Sequence, residues 1–242
     1  MFTILYYLEI TVLCVIFILL SAVALVVCYP FDPARRVVHE LSRLLVKSFF
    51  ATPPLWRQSV EGLENIERGK SYVIVLNHNS MMDIPALYML PLNFRWVSKR
   101  EVYFTPFFGQ LLFLHGDICI RRAKGSEAMT QLRHEGHMWI DRGVSIAIFP
   151  EGTRSKSGEI GRFKGGAFSL AREANVEILP VVINGTREMI KSNNLFNWRN
   201  RLTLKVLKPI SVSGDDKEVG RDVIEGIRES MVEALKELRD RN

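Results

Sequence analysis

Apolar and polar residues follow two different patterns at the start of the chain. Residues 10–28 carry no charged side chain, and as an α-helix this stretch would be about 29 Å long, close to the thickness of a bilayer core. Residues 36–49 instead place apolar side chains on one helical face and Arg36, Glu40 and Lys47 on the other. The two patterns predict a membrane-inserted helix followed by an amphipathic helix.

Beyond residue 60, short apolar runs alternate with stretches of helical periodicity. The predicted strands are 72–76, 94–97, 117–120, 144–149, 176–183 and 202–207. The predicted helices are 81–90, 126–142, 167–173 and 224–238. This order predicts an α/β fold: a single domain over residues 61–242 with a central mixed sheet flanked by helices, preceded by a membrane-associated two-helix segment over residues 1–60.

The residues that flank the apolar helix predict its orientation. Between residues 33 and 60, basic residues outnumber Glu40, the only acid there. The positive-inside rule therefore puts the domain on the cytoplasmic side of the cell inner membrane or of another cytoplasm-facing membrane. Basic residues opposite Leu and Phe favour an amphipathic helix that lies on the membrane surface over one packed on the core. A signal peptide cleaved after residues 22–24 is disfavoured, because the leader contains Glu9 and no Lys or Arg.

Composition narrows the range of functions. Hydrophobic residues make up 48% of the 242-residue chain and charged residues 24%, which excludes a disordered or collagen-like protein. The net charge of +6 favours anionic partners such as phosphate groups or acidic lipids. No nucleic-acid recognition motif accompanies the basic residues, so we expect no nucleic-acid partner. Cys14, Cys28 and Cys119 lack the spacing of a metal site, so we expect reduced thiols and no metal.

A polar segment follows the predicted strand 72–76. His78 lies at the strand end and Asp83 five residues later, so the two side chains can meet only across a strand-to-helix turn. The carboxylate would then hold one imidazole nitrogen and leave the other to act as a general base. Helix capping by Ser80 and Asp83 is the alternative, and it explains Asp83 but not His78.

A second polar segment follows the predicted strand 144–149. It contains Gly152, Thr153 and Arg154, and further basic residues come after it. Backbone N–H groups, a hydroxyl and a guanidinium in one tight loop fit a bound phosphate. A solvated basic turn would explain this segment alone, but two polar loops at strand ends in one domain favour a shared site.

The two segments together resemble the sequence blocks of a known family. Residues 77–83 read NHNSMMD and residues 149–155 read FPEGTRS. They resemble the NH-x-S-x-x-D and FPEGTRS blocks of glycerolipid acyltransferases, most closely the bacterial 1-acyl-sn-glycerol-3-phosphate (lysophosphatidic acid) acyltransferases. Residues 99–122 and 179–181 resemble two weaker blocks of that family, so the resemblance covers about residues 60–190.

The resemblance implies an activity and a role for each site residue. It implies acyl transfer from a thioester of coenzyme A or acyl carrier protein to the free sn-2 hydroxyl of membrane lysophosphatidic acid, giving phosphatidic acid. His78 would be the general base, Asp83 would orient it, and no acyl-enzyme would form. Glu151 would organise the loop, and no cofactor is expected besides the thioester co-substrate. The candidates for binding the acceptor phosphate are Lys99, Arg122, Gly152, Thr153 and Arg154.

Two other functions stay open from the sequence. The first is acyl transfer to a different acceptor: lysophosphatidylglycerol, a lyso-ornithine lipid or glycerol 3-phosphate. The second is a membrane-tethered protein that binds anionic lipid without catalysis, which the basic amphipathic helix and the net charge favour. The intact pair of His78 and Asp83 argues against this second function.

Overall fold

Within the residues that the computed structural model describes, 2–52, 56–121, 125–190, 195–212 and 220–241, a seven-stranded sheet forms the centre of the fold. Neighbouring strands follow the order β1-β7-β6-β2-β5-β3-β4, and every pair is parallel except β6 and β7. The predicted α/β fold with a central mixed sheet is confirmed. The strands are β1 (Trp56–Glu61), β2 (Tyr72–Leu76), β3 (Phe94–Lys99), β4 (Ile118–Ile120), β5 (Ser145–Ile148), β6 (Glu177–Asn184) and β7 (Asn200–Val206).

Helices cover both faces of this sheet. Val73 and Val75 on β2 point into the core layer formed with the helices Gly125–Asp141, Gly166–Glu173 and Arg221–Asp240. Tyr72, Ile74 and Leu76 point into the opposite layer, with the helix Asp83–Leu87. Burial on both faces explains why β2 is a continuous apolar run rather than an alternating one. The helices are α1 (Phe2–Cys28), α2 (Arg36–Ala51), α3 (Asp83–Leu87), α4 (Phe108–His115), α5 (Gly125–Asp141), α6 (Gly166–Glu173) and α7 (Arg221–Asp240).

The first helix is attached to the domain near its beginning and also packs on α2 and α4, while many of its apolar side chains are exposed. Tyr6 is 3% exposed and lies in an aromatic cluster, with its ring centroid 4.9 Å from that of Phe196 and 6.0 Å from that of Trp56. From Thr3 to Cys28 the helix reaches a mean hydropathy of 3.2, and 6% of that apolar window is buried. By length and composition the helix can cross a membrane.

The second helix packs between α1 and α4. Val38 and Leu45, on the apolar face expected at the membrane surface, are buried in the protein. The predicted preference for membrane contact over core packing is therefore wrong for these two residues. Val37 and Leu44 on the same helix are exposed, so part of the apolar face stays open to a membrane.

A chain of buried polar side chains holds the second helix in place. His39 Nδ1 lies 2.9 Å from His115 Nε2, and His115 Nδ1 lies 2.8 Å from Asp117 Oδ1. Burial lowers the pKa of both histidines well below its usual value, so both are neutral at pH 7. Because Arg95 can only donate to His115 Nε2, the His115 proton lies on Nδ1 and is donated to Asp117. These contacts join α2 to α4 and to the segment between α4 and β4.

Two elements differ from the predicted ones. The edge strand β1 is not predicted by the sequence patterns, and it brings residues 56–60 into the sheet beside β7. The domain boundary between residues 60 and 61 stays a prediction. The helix predicted over 81–90 is α-helical only over Asp83–Leu87. Residues 88–90 continue in tighter turns, because Pro91 disfavours α-helical backbone at the residue before it.

Candidate active site

The two polar segments meet at the carboxyl ends of neighbouring parallel strands. Residues 77–83 follow β2, residues 149–155 follow β5, and these two strands are paired. The backbone N–H of Ser155 donates to the carbonyl oxygen of His78 over 2.7 Å. The carboxyl edge of a parallel sheet is where loops of an α/β fold gather into sites, and here it brings both segments together.

His78 and Asp83 are hydrogen bonded across the turn between β2 and α3. The distance from His78 Nδ1 to Asp83 Oδ2 is 2.8 Å. The Asp83 side chain is fully buried and that of His78 is 14% exposed. Among the described residues no group hydrogen bonds to His78 Nε2, and His78 lines an open cavity. With Nδ1 bonded to a carboxylate and Nε2 facing the cavity, the imidazole has the arrangement of a general base.

The same carboxylate also caps the start of the third helix. The backbone N–H groups of Asn79 and Ser80 donate to Asp83 Oδ2 over 2.7 and 2.8 Å. The capping alternative and the contact with His78 are therefore both present, and both use one oxygen atom. Three donors on that atom fix the direction of the carboxylate towards the imidazole.

Glu151 connects the two polar segments from behind the cavity. Its Oε1 accepts from the backbone N–H of His78 and its Oε2 from that of Gly161, each over 2.9 Å. Burial raises the pKa of the Glu151 carboxyl, and the two N–H donors partly offset this effect. Glu151 does not line the cavity, so this geometry fits a residue that organises the loop.

Aromatic stacking sets the plane of the His78 ring. The ring lies on Phe149 with centroids 3.9 Å apart and planes at 14°. Phe149 in turn stacks on Trp96 at 5.0 Å. With one edge bonded to Asp83 and one face on Phe149, the ring keeps a single orientation towards the cavity.

The cavity beside His78 has a volume of about 790 Å³. Within the described parts of the chain, no Asp or Glu lines it, whereas four cationic side chains do. A lining of this charge fits an anionic group such as a phosphate. Its other walls include the apolar residues Met81, Ile84, Val97, Met129 and Leu132, which fit a hydrocarbon chain. The four cations are Lys99, Arg154, Lys156 and Lys164.

Four of the predicted phosphate-binding residues line this cavity: Lys99, Gly152, Thr153 and Arg154. The fifth, Arg122, lies outside the described residues. Gly152 has a φ of +75°, and a Cβ there would lie 2.7 Å from Lys164 Nζ. A glycine therefore serves both the turn and the close approach of the ammonium group.

Three residues of the site are not among the predicted ones. Lys156 and Lys164 line the cavity, and their position after the second polar segment is a usable signal. Thr186 donates a hydrogen bond to Asp83 Oδ1 over 2.5 Å across a sequence separation of 103 residues. It follows β6 directly after Gly185. A polar residue just beyond a buried strand is a site candidate, and this signal applies to Thr186 as it does to His78.

Comparison with known proteins relates the fold and the site to one family. The model of the Acyltransferase family matches residues 57–184. The chain is 32% identical to the 1-acyl-sn-glycerol-3-phosphate acyltransferase beta of Homo sapiens, over 86% of this chain and 76% of the relative. It is also 32% identical to a chloroplastic 1-acyl-sn-glycerol-3-phosphate acyltransferase of Arabidopsis thaliana, over 77% of this chain and 52% of the relative. The chain thus spans between half and about three quarters of the length of these two proteins.

A solved structure agrees with these relatives. The crystal structure of the 1-acyl-sn-glycerophosphate (LPA) acyltransferase PlsC from Thermotoga maritima superposes with a TM-score of 0.68 at 25% identity. The match covers 96% of this chain and 98% of that one, so it includes the sheet and the N-terminal helices. The matched family region contains both polar segments that meet at the cavity. The chain therefore belongs to the acyltransferase family.

Proposed function

We propose that this chain transfers a fatty acyl group from an acyl thioester to the sn-2 hydroxyl of 1-acyl-sn-glycerol 3-phosphate, giving phosphatidic acid. The observation that carries the proposal is the bonded pair of His78 and Asp83 on a cavity lined by cations and by no acid among the described residues. The relatives from Homo sapiens, Arabidopsis thaliana and Thermotoga maritima have names that state this acceptor, which supports the choice.

The reaction uses one base and forms no acyl-enzyme. His78 Nε2 takes the hydroxyl proton as the acceptor oxygen attacks the thioester carbonyl, so that a carbon–oxygen bond forms. The carbon–sulfur bond then breaks, and the proton on Nε2 passes to the departing sulfur. Asp83 stabilises the imidazolium between these two steps, and such assistance is worth about 10² to 10⁴ in rate. The thiol belongs to coenzyme A or to acyl carrier protein.

The acceptor phosphate binds among the cavity cations. Arg154 presents a planar guanidinium that can make two parallel hydrogen bonds to one phosphate, and Lys99 and Lys164 line the same cavity. The apolar walls of the cavity take hydrocarbon from the substrates. The phosphate is thereby held near His78 while the sn-2 hydroxyl reaches Nε2.

Arg154→Ala is expected to raise the KM for lysophosphatidic acid by about tenfold to hundredfold, since a hydrogen bond to a charged group is worth about 1.5 to 3 kcal/mol. The kcat should change little, because the phosphate is bound equally before and during the reaction. Initial rates over a range of acceptor concentrations give both constants. Arg68→Ala, an exposed arginine before β2, is the matched control and should leave both unchanged. An unaltered acceptor KM in Arg154→Ala would remove this residue from the phosphate site.

A panel of acceptors tests the proposed function itself. Purified protein receives an acyl-CoA or an acyl carrier protein thioester and, in turn, lysophosphatidic acid, lysophosphatidylglycerol, a lyso-ornithine lipid or glycerol 3-phosphate. We expect the highest kcat/KM with lysophosphatidic acid. A higher value for another acceptor would replace the proposed one. Binding to anionic vesicles with no thioester consumed would favour the non-catalytic lipid-binding function instead.

The first helix enters the membrane that holds the lipid substrate, and the domain faces the cytoplasm. The apolar window between Thr3 and Cys28 and the basic residues after it support this orientation. We expect a protease added to sealed right-side-out vesicles to leave the domain intact and to digest it in inverted vesicles. Detergent-treated vesicles are the control, in which digestion should be equal. Digestion of the domain in sealed right-side-out vesicles would contradict the orientation.

A further inference from the structure

The carboxylate beside the general base has a donor on each of its oxygens. Asp83 Oδ2 accepts from His78 Nδ1 and from the backbone N–H groups of Asn79 and Ser80. Asp83 Oδ1 accepts from the hydroxyl of Thr186 over 2.5 Å. Asp83 is 0% exposed and Thr186 is 1% exposed, so water does not compete for this bond. Thr186 is the only one of these donors that lies outside residues 78–83.

The backbone before Thr186 is held from a different part of the sheet. Gly185 has a φ of +95°, and a Cβ there would lie 1.9 Å from the carbonyl oxygen of Arg201 on β7. The Asn200 side chain donates to the Gly185 carbonyl oxygen over 2.7 Å. The end of β6 therefore delivers the Thr186 hydroxyl to Asp83 from a position fixed independently of the turn that carries His78.

A second contact keeps the two strand ends together. The side-chain amide of Asn77 donates to the Ile183 carbonyl oxygen over 2.9 Å and accepts from the Ile183 N–H over 2.8 Å. Asn77 is fully buried. This clamp joins the residue before His78 to a residue close to Thr186, so the hydroxyl and the carboxylate have little freedom to separate.

We infer that Thr186 is a positioning residue for acyl transfer, an inference that rests on the proposed function. A carboxylate held through one oxygen can rotate about its Cβ–Cγ bond and can exchange the oxygen that faces the imidazole. The Thr186 bond to the second oxygen fixes the carboxylate plane and keeps Oδ2 on His78 Nδ1.

Thr186→Val tests this role, since valine keeps the shape of threonine and removes the hydroxyl. The kcat for acyl transfer should fall about tenfold to hundredfold, the value of a lost hydrogen bond to a charged group. The KM values for thioester and acceptor should stay the same, because Thr186 does not line the cavity of His78. Thr186→Ser, which keeps the hydroxyl, should restore most of kcat.

The pH dependence separates positioning from a purely structural effect. Without the Thr186 hydroxyl the carboxylate is held less firmly on His78 Nδ1 and stabilises the imidazolium less, so the acidic limb of kcat/KM should move to lower pH in Thr186→Val. No charged group around His78 is removed in this variant. These groups are Asp83, Glu151 and the cavity cations Lys99, Arg154, Lys156 and Lys164. A loss of folded protein alone would lower the total rate and would not shift the acidic limb of the pH profile.

Thr203→Val is the matched control for placing valine at a buried threonine. Thr203 is 4% exposed, and its hydroxyl pairs with Ser59 over 3.0 Å, away from the cavity. This variant should keep the wild-type kcat per folded molecule and the wild-type pH profile. If Thr186→Val behaves like Thr203→Val in both respects, the inference is wrong.

An NMR titration of the His78 ring in detergent tests the contact without any turnover. A midpoint at lower pH in Thr186→Val than in the wild type supports the inference, and an equal or higher midpoint overturns it. A wild-type protein that transfers no acyl group to any acceptor would refute the proposed function, while this titration would still decide whether Thr186 acts on the pair of His78 and Asp83.

Discussion

Replacing His78 with alanine is expected to lower kcat for acyl transfer by at least about 10³-fold while the protein stays folded. The loss follows from the position of Nε2, which faces the cavity and has no hydrogen-bond partner among the described residues. No other described His, Cys or Lys takes its place beside Asp83. Without this imidazole, the acceptor hydroxyl has no base to receive its proton.

The variant should fold because the buried carboxylate keeps most of its partners. Asp83 still accepts from the N–H groups of Asn79 and Ser80 and from the Thr186 hydroxyl. The space left by the ring opens onto the cavity rather than into the core. Thermal unfolding and elution in gel filtration check the fold. His134→Ala on the exposed side of α5 is the matched control. Near-normal turnover by His78→Ala would refute the role of His78 as the general base.

Asp83→Asn is expected to lower kcat by about 10² to 10⁴-fold with little change in KM for either substrate. The amide oxygen can still accept from His78 Nδ1 and the two backbone N–H groups, while its NH₂ can donate to the oxygen of Thr186. The geometry is thus largely kept, but the negative charge is gone. The imidazolium that forms during proton transfer loses its counter-charge. The experiment therefore measures the contribution of the Asp83 negative charge to kcat.

Initial rates of the Asp83→Asn variant over both substrate concentrations give kcat and each KM separately. Asn184→Asp, at the end of β6 and two residues before Thr186, is a control for exchanging an Asp and an Asn near the site. A kcat within about threefold of the wild type in Asp83→Asn would mean that Asp83 serves only to cap α3. A raised KM with normal kcat would assign it to substrate binding instead.

Much of the fold could be predicted because each buried strand leaves a simple pattern. The apolar run of β2 is continuous because α3 covers one face and α6 the other. The edge strand β1 leaves no such pattern, since Trp56 is its only fully buried residue and the next three side chains are exposed. The sequence of a strand whose side chains are mostly exposed to solvent resembles that of a linker.

Helical periodicity predicted the second helix but not what covers it. The sequence pattern favours a membrane surface for the apolar face of α2, whereas Val38 and Leu45 are buried in the protein. His39 on the same helix is 1% exposed and bonds to His115. A histidine separated by 76 residues from its partner gives no local signal, so the packing of this helix depends on contacts that periodicity does not contain.

In the site, too, contacts between residues close in sequence are predictable, and contacts between distant residues are not. His78 and Asp83 are five residues apart, so one turn brings them together and the sequence predicts their contact. Thr186 reaches Asp83 from the end of β6, so its role depends on β6 lying beside β2 in the sheet. That order is a property of the whole chain, so the sequence marks Thr186 as a polar residue beyond a buried strand but does not predict its contact with Asp83.

The measurement that tests the proposed chemistry most directly is the stoichiometry of thiol release and lipid product in one reaction. Purified protein in detergent receives an acyl thioester, with lysophosphatidic acid present or absent, beside His78→Ala. The account predicts one thiol released for each phosphatidic acid formed, and release in the wild type only when the acceptor is present. Thiol release without acceptor, or release at equal rates by His78→Ala, would contradict direct transfer by a His78 base.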